Sequence, residues 1–120
     1  MRIAPALLLL LLPVWVKADV AAPRPLDLSE LQLPPGFEIS IYARDLRTPR
    51  MIAVSPNDIL FVSDIGGGRI WAIPEAGRAV VFASGLDRPH GLAFRGNDLY
   101  AAEMSRIIVF RNATEDVILP

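Results

Sequence analysis

The chain has 120 residues, of which 52% are apolar, and its 12 basic and 13 acidic side chains give a formal net charge of −1. A small negative net charge argues against nucleic-acid binding, which depends on a strongly basic surface. The chain has no cysteine, which excludes disulfide bonds, covalent haem attachment and a lipoprotein anchor.

The N-terminus has the pattern of a secretory signal peptide. Met1-Arg2 gives a short basic start, residues 3–16 are almost wholly apolar, and Ala18 ends a short motif that signal peptidase can cleave. An uncleaved anchor is the weaker alternative, because a membrane-spanning helix needs roughly twenty apolar residues. We therefore predict a signal peptide over residues 1–18 and a periplasmic or secreted protein with no stable membrane span after cleavage. The mature chain would carry a net charge of about −3, which again indicates no nucleic-acid partner.

The next segment, residues 19–36, is rich in proline and is predicted to be a lead-in with at most one helical turn, at residues 28–31. From residue 37 onward, apolar and polar residues alternate in short runs separated by turn residues, the pattern of strands. No segment has a convincing helical period, so the chain is predicted to be all-β. The predicted strands are 37–43, 51–54, 59–63, 69–73, 79–83, 91–94, 98–102, 106–110 and 116–119.

An internal repeat with a period near forty relates these strands, since residues 46–53 recur as residues 86–93. A strand-rich period of about 40–45 residues is typical of propeller blades with four strands each. We predict a β-propeller with about two blades present, blade one over about 50–83 and blade two over about 90–120. The strand at 37–43 matches the outer strand of blade one and would complete the last blade of a closed ring.

A ring takes roughly four to eight blades, so we expect this chain to be the N-terminal piece of a longer protein, truncated within blade two. On its own it would leave strand edges unpaired, and we expect it to be inactive and poorly soluble.

In a propeller blade, the first strand is the inner one and lines the central channel. The loop before this strand and the turn between the second and third strands lie at the same end of the blade. Three side chains near the predicted channel mouth then become candidate ligand contacts: Arg50, Arg88 and His90. His90 is the only histidine and could act as a base or ligand near neutral pH. The preferred interpretation is a hydrogen-bonded histidine that fixes the turn, because Arg50 occupies the equivalent place in blade one.

Acidic and basic residues recur at equivalent turns, as Asp64 with Arg69 and as Glu103 with Arg106. They could contact a ligand, but cross-hairpin ion pairs, worth about 0.2–1 kcal/mol each, are the preferred interpretation.

Three other polar or glycine-rich segments are predicted to be turns. Gly66-Gly67-Gly68 lacks the lysine and the helix of a phosphate-binding loop. Asn57-Asp58 and Asn97-Asp98 lack the spacing of several carboxylates that calcium loops have, and turn chemistry explains them better.

Three segments together resemble the N-terminal part of the glucose/sorbosone dehydrogenase family: Leu33–Phe37, Ser84–Phe94 and Asn97–Tyr100. The resemblance covers residues 33–111. It implies a six-bladed propeller with pyrroloquinoline quinone at the channel mouth, calcium, and oxidation of a sugar or aldehyde, such as an aldose or sorbosone, with electrons passing to an acceptor. A histidine would take the hydroxyl proton while hydride passes to the quinone.

The resemblance implies that the base histidine and the calcium ligands lie beyond Pro120, so it assigns no catalytic or metal residue here. Arg50, Arg88 and His90 remain candidate cofactor contacts on geometry alone. Two alternatives stay open: a calcium-dependent lactonase-type propeller that hydrolyses an ester, and a non-catalytic propeller that binds a protein or glycan.

Overall fold

The computed structural model of the protein describes residues 27–115 and residue 117. A turn of 3-10 helix, Leu28–Glu30, agrees with the helical turn predicted at residues 28–31. Within the described part of the chain, no helix is long and apolar enough to cross a membrane. The predicted signal peptide, residues 19–26 of the lead-in, and all of the predicted strand 116–119 except Val117 lie outside the described residues.

Seven strands follow the helical turn, and all of them belong to one compact unit that begins at Leu33. They confirm the predicted all-β class, and each lies within two residues of a predicted strand. The strands are β1 (Pro49–Val54), β2 (Leu60–Asp64), β3 (Arg69–Ile73), β4 (Val80–Ser84), β5 (Gly91–Arg95), β6 (Asp98–Ala102) and β7 (Ile107–Phe110).

These strands form two antiparallel sheets. The first sheet has the order β1-β2-β3-β4 and the second has the order β5-β6-β7. Each strand therefore pairs with its neighbour in sequence, as expected when the connections are short turns.

The strand predicted at residues 37–43 is not present, and this prediction was wrong for the described structure. Its alternating side chains remain largely in water, with Phe37 69% and Ile39 43% exposed. One backbone hydrogen bond, from the Gly77 N–H to the Tyr42 carbonyl, ties the segment to the turn before β4. Alternation gives a segment the tendency to form a strand, but a strand also needs a ladder partner, which the described residues do not supply here.

The internal repeat is preserved in the pairing of the strands. Phe61 in β2 lies opposite Ala53 in β1. Its repeat equivalent, Tyr100 in β6, lies opposite Ala93 in β5, which is the repeat equivalent of Ala53. The two sheets therefore share one register as well as one sequence pattern.

Aromatic side chains fill the space between the two sheets. The Phe61 ring meets the Phe82 ring at 5.0 Å between centroids and the Phe94 ring at 5.1 Å, both edge to face. The Phe82 ring meets the Phe110 ring at 5.2 Å in the same manner. Such pairs add about 0.5–1.5 kcal/mol each to the burial of their area. Two of the three, Phe61 with Phe94 and Phe82 with Phe110, join the two sheets.

Because side chains alternate along a strand, each sheet has two faces, which we name by their residues. The leading face carries Ile52, Val54, Leu60, Val62, Trp71 and Ile73 in the first sheet, and Leu92, Phe94, Leu99, Ala101, Ile108 and Phe110 in the second. The trailing face carries Met51, Ala53, Phe61, Ser63, Ile70 and Ala72 in the first sheet, and Gly91, Ala93, Tyr100, Ala102, Ile107 and Val109 in the second.

The two sheets pack head to tail. Phe61 on the trailing face of the first sheet contacts Phe94 on the leading face of the second. Tyr100, the repeat equivalent of Phe61, lines a surface groove on the opposite side of the second sheet. Unlike faces therefore meet between the sheets. Within the described residues, no sheet packs on the leading face of the first sheet or on the trailing face of the second, although Val62 and Ile73 on that leading face are buried.

Candidate functional site

The candidate site lies at the edge where two pairs of connections meet. Residues 46–50 and 86–90 lead into β1 and β5, and residues 64–69 and 103–106 lead out of β2 and β6. Backbone hydrogen bonds join them. The Ile65 N–H donates to the Thr48 carbonyl at 3.1 Å, and the Leu86 N–H donates to the Gly68 carbonyl at 3.0 Å. The structure thus brings together the four segments that blade geometry places at one end.

Asp64, the last residue of β2, fixes the loop before β1. Its side chain is fully buried, and its Oδ1 accepts from the Thr48 N–H and the Gly67 N–H, each at 2.9 Å. Its Oδ2 accepts from the Trp71 indole N–H at 3.2 Å and from the Arg47 N–H at 3.3 Å. Four donors on two oxygens leave this carboxylate little capacity for a metal or a substrate.

The ionisation of Asp64 follows from these contacts. Burial by itself raises the pKa of the Asp64 carboxyl, but the four hydrogen bonds, of which that from the Trp71 indole is the largest, outweigh burial and lower it below the ordinary value. Asp64 is therefore a charged acceptor at neutral pH that holds the loop in place.

Glycines allow the turn between β2 and β3 to lie close to Asp64 and to the loop before β5. A Cβ on Gly67 would lie 2.4 Å from Asp64 Oδ2, and a Cβ on Gly68, which has a φ of +60°, would lie 2.8 Å from the Leu86 carbonyl oxygen. The predicted turn at residues 66–68 is confirmed. A Cβ on Gly66 would lie 2.4 Å from Thr48 Oγ1, so the glycines are required by close contacts with Asp64 and with the loops before β1 and β5.

Glu103 has the same role in the second sheet. It is buried, and its Oε1 accepts from the Asp87 N–H at 2.7 Å. Its Oε2 accepts from Arg106 Nε at 2.5 Å, which confirms the predicted ion pair. Arg106, and after it the Asp87 N–H, lower the pKa of the Glu103 carboxyl below its ordinary value.

The predicted ion pair between Asp64 and Arg69 was wrong. The two residues lie opposite each other in the β2–β3 register, but the Trp71 indole N–H takes the Oδ2 atom of Asp64. The Arg69 guanidinium instead lies over the Trp71 ring, 5.8 Å from its centroid, a cation–π geometry.

His90 lies directly before β5 and is held mainly through its backbone. Its N–H donates to the Ala102 carbonyl at 2.9 Å, and its carbonyl accepts from Ser63 Oγ at 3.1 Å. Its ring Nδ1 lies 3.2 Å from the Arg88 carbonyl oxygen. A carbonyl can only accept, so Nδ1 is the donor, and Nε2 is the ring atom left for a ligand.

Ser63 was not singled out by the sequence, yet its hydroxyl joins two strands of the first sheet to the residue before β5. Its fully buried hydroxyl accepts from the Met51 N–H in β1 at 3.1 Å and donates to the His90 carbonyl before β5. It is the polar contact that accompanies the aromatic cluster between the sheets.

Arg50 and Arg88 are both exposed at this edge. Arg50, in β1, lines a groove of about 400 Å³ on the leading face of the first sheet, together with Tyr42 and Leu46. Arg88 has a φ of +50° directly before the buried Pro89. Among the described residues neither guanidinium forms an ion pair, and no hydrogen bond joins Arg50 to Arg88 or His90. Both can receive an anion, since a guanidinium binds a carboxylate with two parallel hydrogen bonds.

The Asn-Asp segments lie at turns, as predicted. Asp98 accepts from the Asn112 N–H at 3.0 Å and pairs with Arg111; these two contacts, in that order, lower the pKa of its carboxyl. The Ser55 hydroxyl donates to Asn57 Oδ1 at 2.7 Å. No group of three histidine, aspartate or glutamate side chains within residues 27–115 is placed to hold a metal ion.

The fold and the site define an all-β protein in which a buried carboxylate at the end of the second strand of each sheet fixes the loop before the first strand. No family model, curated protein or solved structure matches the chain.

Proposed function

We propose that this chain forms the first two blades of a β-propeller that acts as a quinoprotein-type dehydrogenase on a sugar or aldehyde. The observation that carries the propeller is the head-to-tail packing of two sheets related by the repeat. An interface between unlike faces leaves one face of each kind open, and repetition of such an interface ends only when the array closes into a ring. Both open faces here are apolar, as a blade with neighbours on both sides requires.

The dehydrogenase part of the proposal rests on the motif resemblance and on the cations at the loop edge. Arg50 and Arg88 carry guanidinium groups without ion pairs among the described residues, and the quinone carries carboxylates that such groups recognise. His90 presents Nε2 at the same edge. When bound, the quinone would accept a hydride from the substrate carbon; Arg50 and Arg88 would orient it through its carboxylates.

The described residues do not fit a calcium site. Calcium takes roughly six to eight oxygen ligands, several of them carboxylate. The carboxylates of Asp64 and Glu103 are occupied by N–H donors, and no cluster of three metal-binding side chains occurs in the described range. No role that passes through calcium is therefore assigned to these residues.

The test uses purified protein that includes this chain and whatever sequence continues it in the gene. Adding pyrroloquinoline quinone should change the absorption spectrum of the quinone, and dye-linked oxidation of an aldose or aldehyde should appear. Arg50→Gln should weaken quinone binding on the order of tenfold or more, because a charged hydrogen bond contributes about 1.5–3 kcal/mol. The matched control is Arg95→Gln, an exposed arginine at the opposite end of β5, which should leave quinone binding unchanged.

Other outcomes identify other functions. No spectral change and no dye reduction with the quinone would refute the dehydrogenase. Calcium-dependent hydrolysis of a lactone without quinone would indicate the lactonase class, and specific retention of a glycan or protein without turnover would indicate a binding propeller.

Export is part of the same proposal. The first 18 residues would direct the chain out of the cytoplasm and be removed, so N-terminal sequencing of the exported protein should begin at Asp19. A mature protein that still begins at Met1 and stays with the membrane would instead indicate an anchor.

A further inference from the structure

Two apolar surfaces are left uncovered by the packing of the sheets. On the leading face of the first sheet, Val62 and Ile73 are buried, and Tyr42 and Leu46 line the groove beside them. Ile52 and Val54 on the same face stay 59% and 56% exposed. On the trailing face of the second sheet, Ile107 is 69% exposed, and a groove of about 260 Å³ runs past Tyr100 and Ala102. Apolar surfaces of this kind on a small protein mark sites of association.

The established interface inside the chain shows what each open surface accepts. There, a trailing face packs on a leading face, with Phe61 against Phe94. The open trailing face of the second sheet is the repeat equivalent of the packed trailing face of the first sheet. The open leading face of the first sheet is the repeat equivalent of the packed leading face of the second sheet. Each chain thus has one leading face and one trailing face without a partner sheet, and the packing inside the chain shows that faces of these two kinds fit each other.

We propose that this 120-residue chain associates head to tail with further copies of itself, the trailing face of the second sheet of one copy packing on the leading face of the first sheet of the next. The repeat specifies the contact. Tyr100 is equivalent to Phe61, and Val54 is equivalent to Phe94, so Tyr100 of one copy lies against Val54 of the next. This inference rests on the packing of the sheets and not on enzymatic activity. It concerns the 120 residues alone, because in the longer protein proposed above the following blades would cover the same two faces.

The contact between copies is weaker than the one within the chain. Ser63, which donates to the His90 carbonyl within the chain, has Ala102 as its repeat equivalent, so no matching hydrogen bond forms between copies. The ring pair formed by Phe61 and Phe94 is likewise replaced by a tyrosine against a valine. Association therefore depends on concentration and is reversible.

The first experiment measures the mass of the purified chain by native mass spectrometry and by light scattering after gel filtration, over a range of concentrations. Oligomers are expected to grow with concentration. Ile52→Arg blocks the leading face and Ile107→Arg blocks the trailing face, so each variant alone should be monomeric. An equimolar mixture of the two should give a dimer that does not grow, because one working face of each kind remains. Met104→Arg, at an exposed apolar position in the turn after β6, is the matched control and should associate like the parent chain.

The second experiment does not depend on discrete soluble oligomers. The chain has no cysteine, so Val54→Cys and Tyr100→Cys introduce one thiol each, and a short bismaleimide reagent is added to each variant and to their mixture. The mixture should give a cross-linked dimer, and neither variant alone should.

Three results would overturn the proposal. The first is a native chain that stays monomeric at every concentration. The second is self-association of Ile52→Arg or Ile107→Arg alone, which would indicate like faces meeting. The third is the absence of cross-linking specific to the mixture, whether the samples are soluble or aggregated, which would show that other segments or non-specific contacts cover these faces.

Discussion

Replacing Asp64 with asparagine tests whether this carboxylate holds the loop before β1. The carboxylate accepts four N–H groups from a fully buried position. Asparagine has nearly the same shape, but it has one acceptor oxygen, and its NH₂ group would face N–H donors. Two of the four donors would therefore lose their acceptor.

The expected loss of unfolding free energy in Asp64→Asn depends on which two hydrogen bonds are lost. The amide oxygen should keep the shorter pair, from Thr48 and Gly67 at 2.9 Å. The longer pair, from Trp71 at 3.2 Å and Arg47 at 3.3 Å, would be lost. An unsatisfied buried donor costs about 1–3 kcal/mol, so two of them would cost about 2–6 kcal/mol. Because both lost bonds are long and only part-buried, the lower part of this range applies, and we expect the free energy of unfolding to fall by about 2–4 kcal/mol. That is a large fraction of the roughly 5–15 kcal/mol that stabilises a typical domain.

The effect of Asp64→Asn should depend on pH in a defined direction. The folded-state pKa of Asp64 lies below its unfolded value, so the unfolded chain takes up the proton first as pH falls. The stabilisation from the charged carboxylate is complete above the unfolded pKa of about 3.9 and is lost as pH falls through the folded pKa. The difference between parent and variant should therefore be constant near neutral pH and shrink below about pH 4.

The assay is urea unfolding followed by tryptophan fluorescence, at one fixed chain concentration because association adds to stability. Glu103→Gln is the matched control. It keeps the acceptor for the Asp87 N–H and loses only the bond to Arg106, whose side chain is 65% exposed, so it should destabilise less. An Asp64→Asn variant within about 0.5 kcal/mol of the parent at pH 7, the scatter of ordinary surface changes, would refute the reasoning, as would a difference that persists at acid pH.

Two further substitutions test the same edge and the contact between the sheets. Gly67→Ala places a Cβ 2.4 Å from Asp64 Oδ2, so the urea midpoint of this variant should fall. Gly96→Ala is the control, because its Cβ meets no atom within 4 Å and the change costs only about 1–2 kcal/mol of left-handed backbone strain. The midpoint of Gly67→Ala should fall further than that of Gly96→Ala, and equal midpoints would contradict this. Ser63→Ala removes a buried hydroxyl that accepts from the Met51 N–H and donates to the His90 carbonyl. Two hydrogen bonds at about 0.5–1.5 kcal/mol each place the loss of stability at about 1–3 kcal/mol, and hydrogen exchange at the Met51 amide should accelerate; unchanged exchange would count against the bridge.

The strands could be predicted from the sequence because alternation and turn residues are local signals. Seven strands lie within two residues of their predicted positions, and two of them, Arg69–Ile73 and Asp98–Ala102, match at both ends. The segment 37–43 shows the limit of this reasoning. It carries the same alternation, but pairing depends on which other strand lies beside it, and a local pattern contains no information about that.

The meeting of the four loop segments at one edge was predicted from the sequence, and the contacts within that edge were predicted only in part. The loop edge followed from the repeat and from chain reversal at each turn. The role of Asp64 did not, because it depends on donors far away in sequence, and the neighbouring arginine offered a simpler partner. One signal was available: the repeat aligns Asp64 with Glu103 and Arg47 with Asp87, and in both sheets the backbone N–H of the latter residue donates to the carboxylate of the former.

Head-to-tail packing of the sheets has a consequence for how such a chain can lengthen. Each tandem duplication of the forty-residue unit adds one leading and one trailing face and buries one of each, so a linear stack of any length still has two apolar ends in water. Growth by itself never removes this exposure, and joining the two ends removes all of it in a single step. Selection on stability would therefore favour the particular number of units at which the ends meet over longer or shorter arrays.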